Sequence, residues 1–271
     1  MSKNAVLTEY TVNAPRLSRP MTIALAADIH ERDADDVLML IKQAKPDIIA
    51  VAGDTFERMS DVENRRTDEE RPHLWTVIAA NIAFFINFVL KTLFVRKNVA
   101  VPENAVRFLS EAVKIAPVYL SLGNHDEILL PEDIEFLDRQ GICLLDNSDE
   151  CFDWHGDKIR IGGLSLNADG EWLERYARSD GYHILLCHKP EYYDDLIAEK
   201  PIELVLSGHN HGGQVRMFGR GLVSSAARLL PKYDKGLFDG RMVVSAGCSC
   251  PTAIPRINNP REAVIIKLNP T

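Results

Sequence analysis

Positive charge is in short supply: 31 Lys and Arg stand against 39 Asp and Glu, a formal net charge of −8. A balance of that sign gives no general attraction for polyanions, so nucleic acid is not an expected partner. Cysteine is sparse and odd in number, with Cys143, Cys151, Cys187, Cys248 and Cys250 at no framework spacing. Reduced thiols, as in a cytosolic protein, are the simpler expectation. The opening MSKNAVLTEYTVNAPRLSRP lacks the apolar core of a secretory leader, so the chain is expected to stay where it is made, in the cytoplasm. There is no internal repeat and no low-complexity tract. Neither a G-x-x-x-x-G-K-[ST] phosphate loop nor a G-x-S-x-G elbow occurs, which leaves nucleophilic serine chemistry without support.

What is present is an ordinary globular composition, 46% hydrophobic and 26% charged over 271 residues, long enough for a sizeable core. Short apolar runs recur at 22–27, 47–52, 117–122, 158–163, 182–187, 202–207, 241–247 and 262–268. Continuous apolar runs of this length predict strands buried on both faces, and covering helices produce that burial. Helical spacing falls between them at Asp35 to Ala44, Glu103 to Ile115, Pro131 to Arg139 and Glu191 to Ala198, with Pro46 ending the first. The alternation predicts an α/β class, and eight strands suggest two packed sheets with helices outside.

Five of the runs end in residues able to bind metal. The first leads into Asp28-Ile29-His30, the second into Gly53-Asp54 and the third into Gly123-Asn124-His125-Asp126. The run at 182–187 meets His188, and that at 202–207 meets Gly208-His209-Asn210-His211. Ligands gather at the carboxyl ends of strands in open α/β sheets. Residues two apart on an extended segment point the same way, so His209 and His211 can face neighbouring ions. Each motif alone reads as a turn or cap; together, in this order, they predict a metal site.

Asp-x-His, Gly-Asp, Gly-Asn-His-Asp, a lone His and Gly-His-x-His resemble the signature of the calcineurin-like metallophosphoesterases. The tail GHNHGGQVRMFGRG is most similar to a bacterial branch containing small phosphodiesterases and hydrolases of lipid-linked phosphates. The resemblance implies a four-layer αββα sandwich of two mixed sheets. It also implies two divalent ions, Mn first and Fe, Zn, Ni or Mg as alternatives. Asp28, His30 and His211 would hold one ion, Asn124, His188 and His209 the other, and Asp54 both. Two ions so held activate water and neutralise phosphoryl charge. His125 would protonate the leaving oxygen or stabilise charge on the phosphoryl group, a role worth about 10²–10⁴-fold. The stretch GDTFER is similar to the Gly-Asp-x-x-Asp-Arg of protein phosphatases, which implies Glu57 as orienting partner of His125 and Arg58 as a phosphate fork. Asp126 competes for the orienting role. His73, His155 and His183 fit no motif and are expected on the surface or in the core. Cys248-x-Cys250 lacks partners at zinc-site spacing.

The expected organisation is a single domain over 1–271 with a helical insertion at about 56–105. Within it, residues 74–95 are apolar except Thr76, Asn81, Asn87, Lys91 and Thr92. Trp75, Ile78, Ile82, Ile86, Val89 and Leu93 make one stripe at helical spacing, and Val77, Phe84, Phe88 and Val95 a second. A bilayer crossing would put Asp54 and Asn124 on opposite sides, although both must reach one site. Two readings remain: a cap buried on the domain or in a homodimer, or a helix at the membrane periphery flanked by Arg71, Lys91, Arg96 and Lys97. The expected activity is hydrolysis of a phosphate ester or pyrophosphate, with a lipid-linked phosphate as the favoured substrate. A phosphodiesterase acting on a soluble nucleotide and a metal-binding interaction scaffold are the alternatives.

Overall fold

Each of the eight apolar runs contains a strand in the computed structural model, which describes residues 5–58, 103–224, 229–249 and 255–270. The first sheet takes β1 (Val6–Asn13), β2 (Met21–Ala26), β3 (Ile48–Ala52), β4 (Val118–Ser121), β5 (Cys143–Leu145) and β14 (Glu262–Asn269), in the order β1-β14-β2-β3-β4-β5. The second takes β6 (Ser148–Trp154), β7 (Asp157–Leu164), β8 (Tyr182–Cys187), β9 (Leu204–Ser207), β12 (Gly236–Phe238) and β13 (Met242–Val244), in the order β12-β13-β9-β8-β7-β6. Both are mixed: β2 to β5 run parallel while β14 opposes β2, and β7, β8, β9 and β13 run parallel between antiparallel edges. A short ribbon of β10 (Arg216–Met217) and β11 (Arg220–Gly221) stands apart.

Burial explains the runs. β3, β8 and β9 are buried at every residue, as strands covered on both faces must be. Ile23, Leu25 and Ala50 of the first sheet meet Ile159, Ile184 and Leu206 of the second in a core between the sheets. Outside the first sheet lie α1 (Asp35–Ala44), α2 (Glu103–Ala112) and α3 (Pro131–Gln140), packing Ile41, Phe108 and Phe136 on Ile49 and Val51. Outside the second, α4 (Gly170–Ala177) sets Trp172 and Tyr176 against Leu185 and Val205. The layers are therefore helix, sheet, sheet and helix.

Several details depart from expectation. β1, β5, β6, β10, β11 and β12 lie outside the eight apolar runs. β1 and β6 are edge strands with polar faces in solvent, and so carry no continuous apolar run. α4 lies outside the four stretches of helical spacing. α2 stops at Ala112, and 191–198 forms only a wide turn over Tyr193–Ile197. α1 ends where expected, with Lys45 in the left-handed region before Pro46. The predicted helix of 74–95, its basic flanks, His73 and Cys250 lie outside the described residues.

Candidate metal centre

Parallel strands deliver their carboxyl ends to one edge, and there the chain turns sharply. Asp28, His30, Glu31, Asp54, His209 and His211 all take positive φ, between 46° and 73°. For non-glycine residues this conformation is disfavoured and persists only where the surroundings over-determine it. Backbone bonds lace the tips of β2 and β3 together: Asp28 N–H donates to Gly53 O, His30 N–H to Asp54 O and Glu31 N–H to Thr55 O. Side chains complete the lacing. His209 N–H donates to Asp28 at 3.1 Å, and His125 N–H donates to Asp54 Oδ1 at 2.8 Å.

Glycines make room for the carboxylates. A Cβ on Gly123 would lie 2.9 Å from Asp54 Cγ and closer still to Asp54 Oδ1 and its amide nitrogen. One on Gly208 would lie 2.8 Å from Asp28 Oδ2 and 2.6 Å from Ala27 Cβ. Both are clashes, so any side chain at either position would displace a carboxylate of the site.

The side chains so placed form three overlapping groups whose ligand atoms lie within 4.8 Å of one another: Asp28, His30 and His211; His30, Asp54 and His125; Asp54, His188 and His209. Hydrogen bonds fix which nitrogens face inward. His188 Nδ1 donates to Ala52 O at 2.8 Å, which leaves Nε2 as a lone pair 3.1 Å from Asp54 Oδ2 and 3.3 Å from His209 Nδ1. His30 Nδ1 donates to Glu57 Oε1 at 3.0 Å, which turns its Nε2 toward His211 Nε2 at 3.3 Å. Outer bonds of this kind orient metal-binding imidazoles and raise their basicity. Asn124 Oδ1 is buried with no hydrogen-bond partner, an orphan acceptor of the sort that demands an explanation. Converging lone pairs, two buried carboxylates and an orphan amide oxygen are the donor set that divalent cations satisfy. The residues fit the ions.

His125 sits beside this set. Its ring meets that of His30 edge-on, with centroids 4.5 Å apart, and its Nδ1 lies 2.9 Å from Glu57 Oε2. Glu57 thus holds both imidazoles, one on each oxygen. Burial works to lower the His125 pKa, but the Glu57 bond and the Asp54 charge outweigh it and raise it to about 9. Burial likewise pushes the Glu57 carboxyl up, and the bonds from His125 and His30 overcome it and hold it at about 2. His211 is driven well down by burial and by His30 and Arg256, which keeps its imidazole neutral.

Two expectations need revision. Arg58 does not offer a free fork for phosphate: its Nε and Nη2 bond Asp133 at 2.9 and 3.1 Å, and Nη1 lies 3.6 Å from Glu31. It clips the loop after β3 to the start of α3. Asp126 orients loops and not His125, since it accepts N–H bonds from Thr55, Phe56 and Gly123. Burial, followed by the Asp54 charge, pushes its pKa up to about 7. His155 is exposed, and His183 is buried against Glu203 and Ser179, away from the site's motifs. Supporting residues with no sequence signal include Asn259, which donates to His211 O at 2.7 Å, and Asn210, which ties the histidine loop to Glu191 and Tyr233. Cys248 is buried.

This geometry belongs to a class, hydrolases that work on phosphoryl groups with a His and Asp metal centre. The chain belongs to the calcineurin-like phosphoesterase family, whose model matches residues 21–213. It is 26% identical to the uncharacterized protein YpbG of Bacillus subtilis over 78% of this chain and 72% of that one. It is 30% identical to the uncharacterized metallophosphoesterase YkoQ of the same organism, over 40% of this chain and 43% of that one. Among solved structures, sulfate thiohydrolase SoxB of Thermus thermophilus aligns over 88% of this chain and 52% of its own, with 11% identity and a TM-score of 0.47. The protein is a metal-dependent phosphoesterase with buried His and Asp clusters. Among the described residues no helix is long and apolar enough to cross a membrane.

Proposed function

We propose that the protein hydrolyses a phosphate ester or pyrophosphate with two divalent ions. Asp28, His30 and His211 would hold one, Asn124, His188 and His209 the other, and Asp54 would serve both. One observation carries this reading. Asp54 Oδ2 lies 3.5 Å from His30 Nε2 and 3.1 Å from His188 Nε2, a single oxygen between the two halves. When bound, such a pair of ions supplies Lewis acidity toward phosphoryl oxygens and a nucleophile from water at neutral pH. Mn²⁺ is the first ion to try, with Fe, Zn, Ni and Mg as alternatives.

The chain's own residues do the rest. His125 is held at Nδ1 by Glu57, so its Nε2 carries the proton that passes to the leaving oxygen. Asp54 Oδ1 anchors the same loop through His125 N–H, which couples the position of the acid to the shared carboxylate. Glu57 keeps His125 cationic and His30 in one tautomer. Arg58, clipped to Asp133, holds that loop in place.

For the substrate we propose a lipid-linked phosphate, supported by the apolar stretch at 74–95, which the sequence places between two loops of the site. A soluble nucleotide diester is the alternative. The test is a panel of p-nitrophenyl phosphate, bis-p-nitrophenyl phosphate, a nucleotide diester and a lipid pyrophosphate. Each is offered with Mn²⁺, Mg²⁺, Zn²⁺ or chelator to wild type and Asp54→Asn. Metal-dependent turnover is expected from wild type, with loss of both ions and of turnover in the variant. An Asp54→Asn protein with wild-type metal content and rate refutes the shared carboxylate. Turnover of the soluble diester alone refutes only the lipid-linked substrate.

A further inference from the structure

Outside the centre, one surface is unlike the rest of the molecule. Four short segments are laced side by side: Arg216 N–H donates to Ile257 O, Leu222 N–H to Val215 O and Leu230 N–H to Leu222 O. This ribbon carries Met217, Phe218, Leu229, Leu230 and Ile257, at 50%, 96%, 61%, 62% and 44% exposure. They are five of the eleven exposed large hydrophobic residues among the described ones, a density that isolated surface residues do not reach. Phe218 stands at the tip of the turn between β10 and β11, with almost its whole ring in solvent.

Basic residues accompany the apolar ones. As a stretch of sequence, Gln214 to Lys235 holds five basic residues against one acidic residue, Asp234, in a chain of net charge −8. Arg216 is paired with Asp234, Lys232 with Asp194 and Lys235 with Glu262. Arg220, next to the tip, is exposed and has no ion pair among the described residues. A convex apolar tip beside the exposed Arg220 matches an anionic lipid surface, where a ring enters the headgroup boundary and a basic side chain meets phosphates.

We infer that the ribbon of 214–223, 229–230 and 255–258 docks the protein on anionic membranes, with Met217 and Phe218 entering the interface. The ribbon is rooted in the metal centre. Its base follows His211 directly, Arg216 Nη1 donates to Gly212 O at 2.8 Å, and Gly213 packs on Gly221. Docking therefore fixes the centre beside the headgroup layer. The inference goes beyond the proposed reaction and holds whether or not the substrate is lipid-linked.

The test is co-sedimentation of the full chain with phosphatidylcholine vesicles and with vesicles also containing phosphatidylglycerol. Wild type should bind the anionic vesicles. Met217→Ser with Phe218→Ser should weaken that binding about tenfold or more while hydrolysis of a soluble ester and the thermal midpoint stay unchanged. Arg220→Gln should weaken binding to the anionic vesicles only. If the double variant fails to fold, Phe218→Trp replaces it, and its emission should move to the blue on adding anionic vesicles. Any of four results overturns the inference: no vesicle binding by wild type, unchanged binding by the double variant, no emission shift, or a wild-type dimer that the double variant dissolves.

Discussion

Replacing Gly123 by alanine adds one methyl group at the place where the site has no room for it. The new Cβ would lie 2.9 Å from Asp54 Cγ, with Oδ1 and the amide nitrogen of Asp54 nearer still. Ordinary carbon contacts begin near 3.5 Å, so Asp54, Gly123 or both must move. The neighbour is partly backbone, tied by the His30 N–H bond to Asp54 O and the His125 N–H bond to Asp54 Oδ1, so no flexible tip can yield alone. A shift approaching 1 Å in the shared carboxylate follows, and misplacement of that size costs about 10²-fold in rate. Overpacking of a dense interior adds a stability loss of roughly 1–3 kcal/mol. The assay is metal content after desalting, kcat/KM on a soluble diester and the thermal midpoint. Gly170→Ala serves as control, because a Cβ there meets nothing within 4 Å. A Gly123→Ala protein with full metal content and wild-type kcat/KM would refute the argument that this glycine exists to seat Asp54.

Other outcomes follow from the same geometry. His125→Ala should keep its metals and lose about 10²–10⁴-fold in kcat on substrates with poor leaving groups; equal kcat would remove His125 from the mechanism. Arg58→Ala leaves the buried Asp133 carboxylate short of its main partner, and should lower stability by about 1–3 kcal/mol with KM little changed. A raised KM at unchanged stability would restore Arg58 as a phosphate ligand. Burial pushes Glu203 up, but bonds from the ring and backbone of His183 and the charge of Arg16 outweigh it and hold its carboxyl below the ordinary 4.5. A depressed carboxylate contributes stability that is complete above its unfolded pKa and fades as pH falls through the folded one. The gap in urea midpoint between wild type and Glu203→Gln should therefore be widest near neutrality and narrow below pH 4.5; a gap constant with pH would argue against the linkage.

Much was decided by sequence alone, because the chemistry of the site is written locally. Buried parallel strands need unbroken apolar runs, and each run that ended in Asp, Asn or His declared a ligand candidate at a strand tip. Asp28, His30, Asp54, His188, His209 and His211 could be named from that rule together with the resemblance, since a strand's carboxyl end is a fixed place in an α/β sheet. Edge strands such as β1, with one polar face in water, lack such runs and stayed hidden. Tertiary structure alone decided what the long polar side chains do. Arg58 follows a motif that reads as a phosphate fork, yet Asp133, 75 positions away in sequence, takes its guanidinium. Asp126 stands beside His125 but spends its oxygens on the loop after β3. The glycines that seat Asp54 and Asp28 read in sequence only as turns, and the exposed tip at Phe218 reads only as a short apolar pair. A flexible side chain can reach any of several partners, and which one it meets depends on residues far along the chain that only folding brings near.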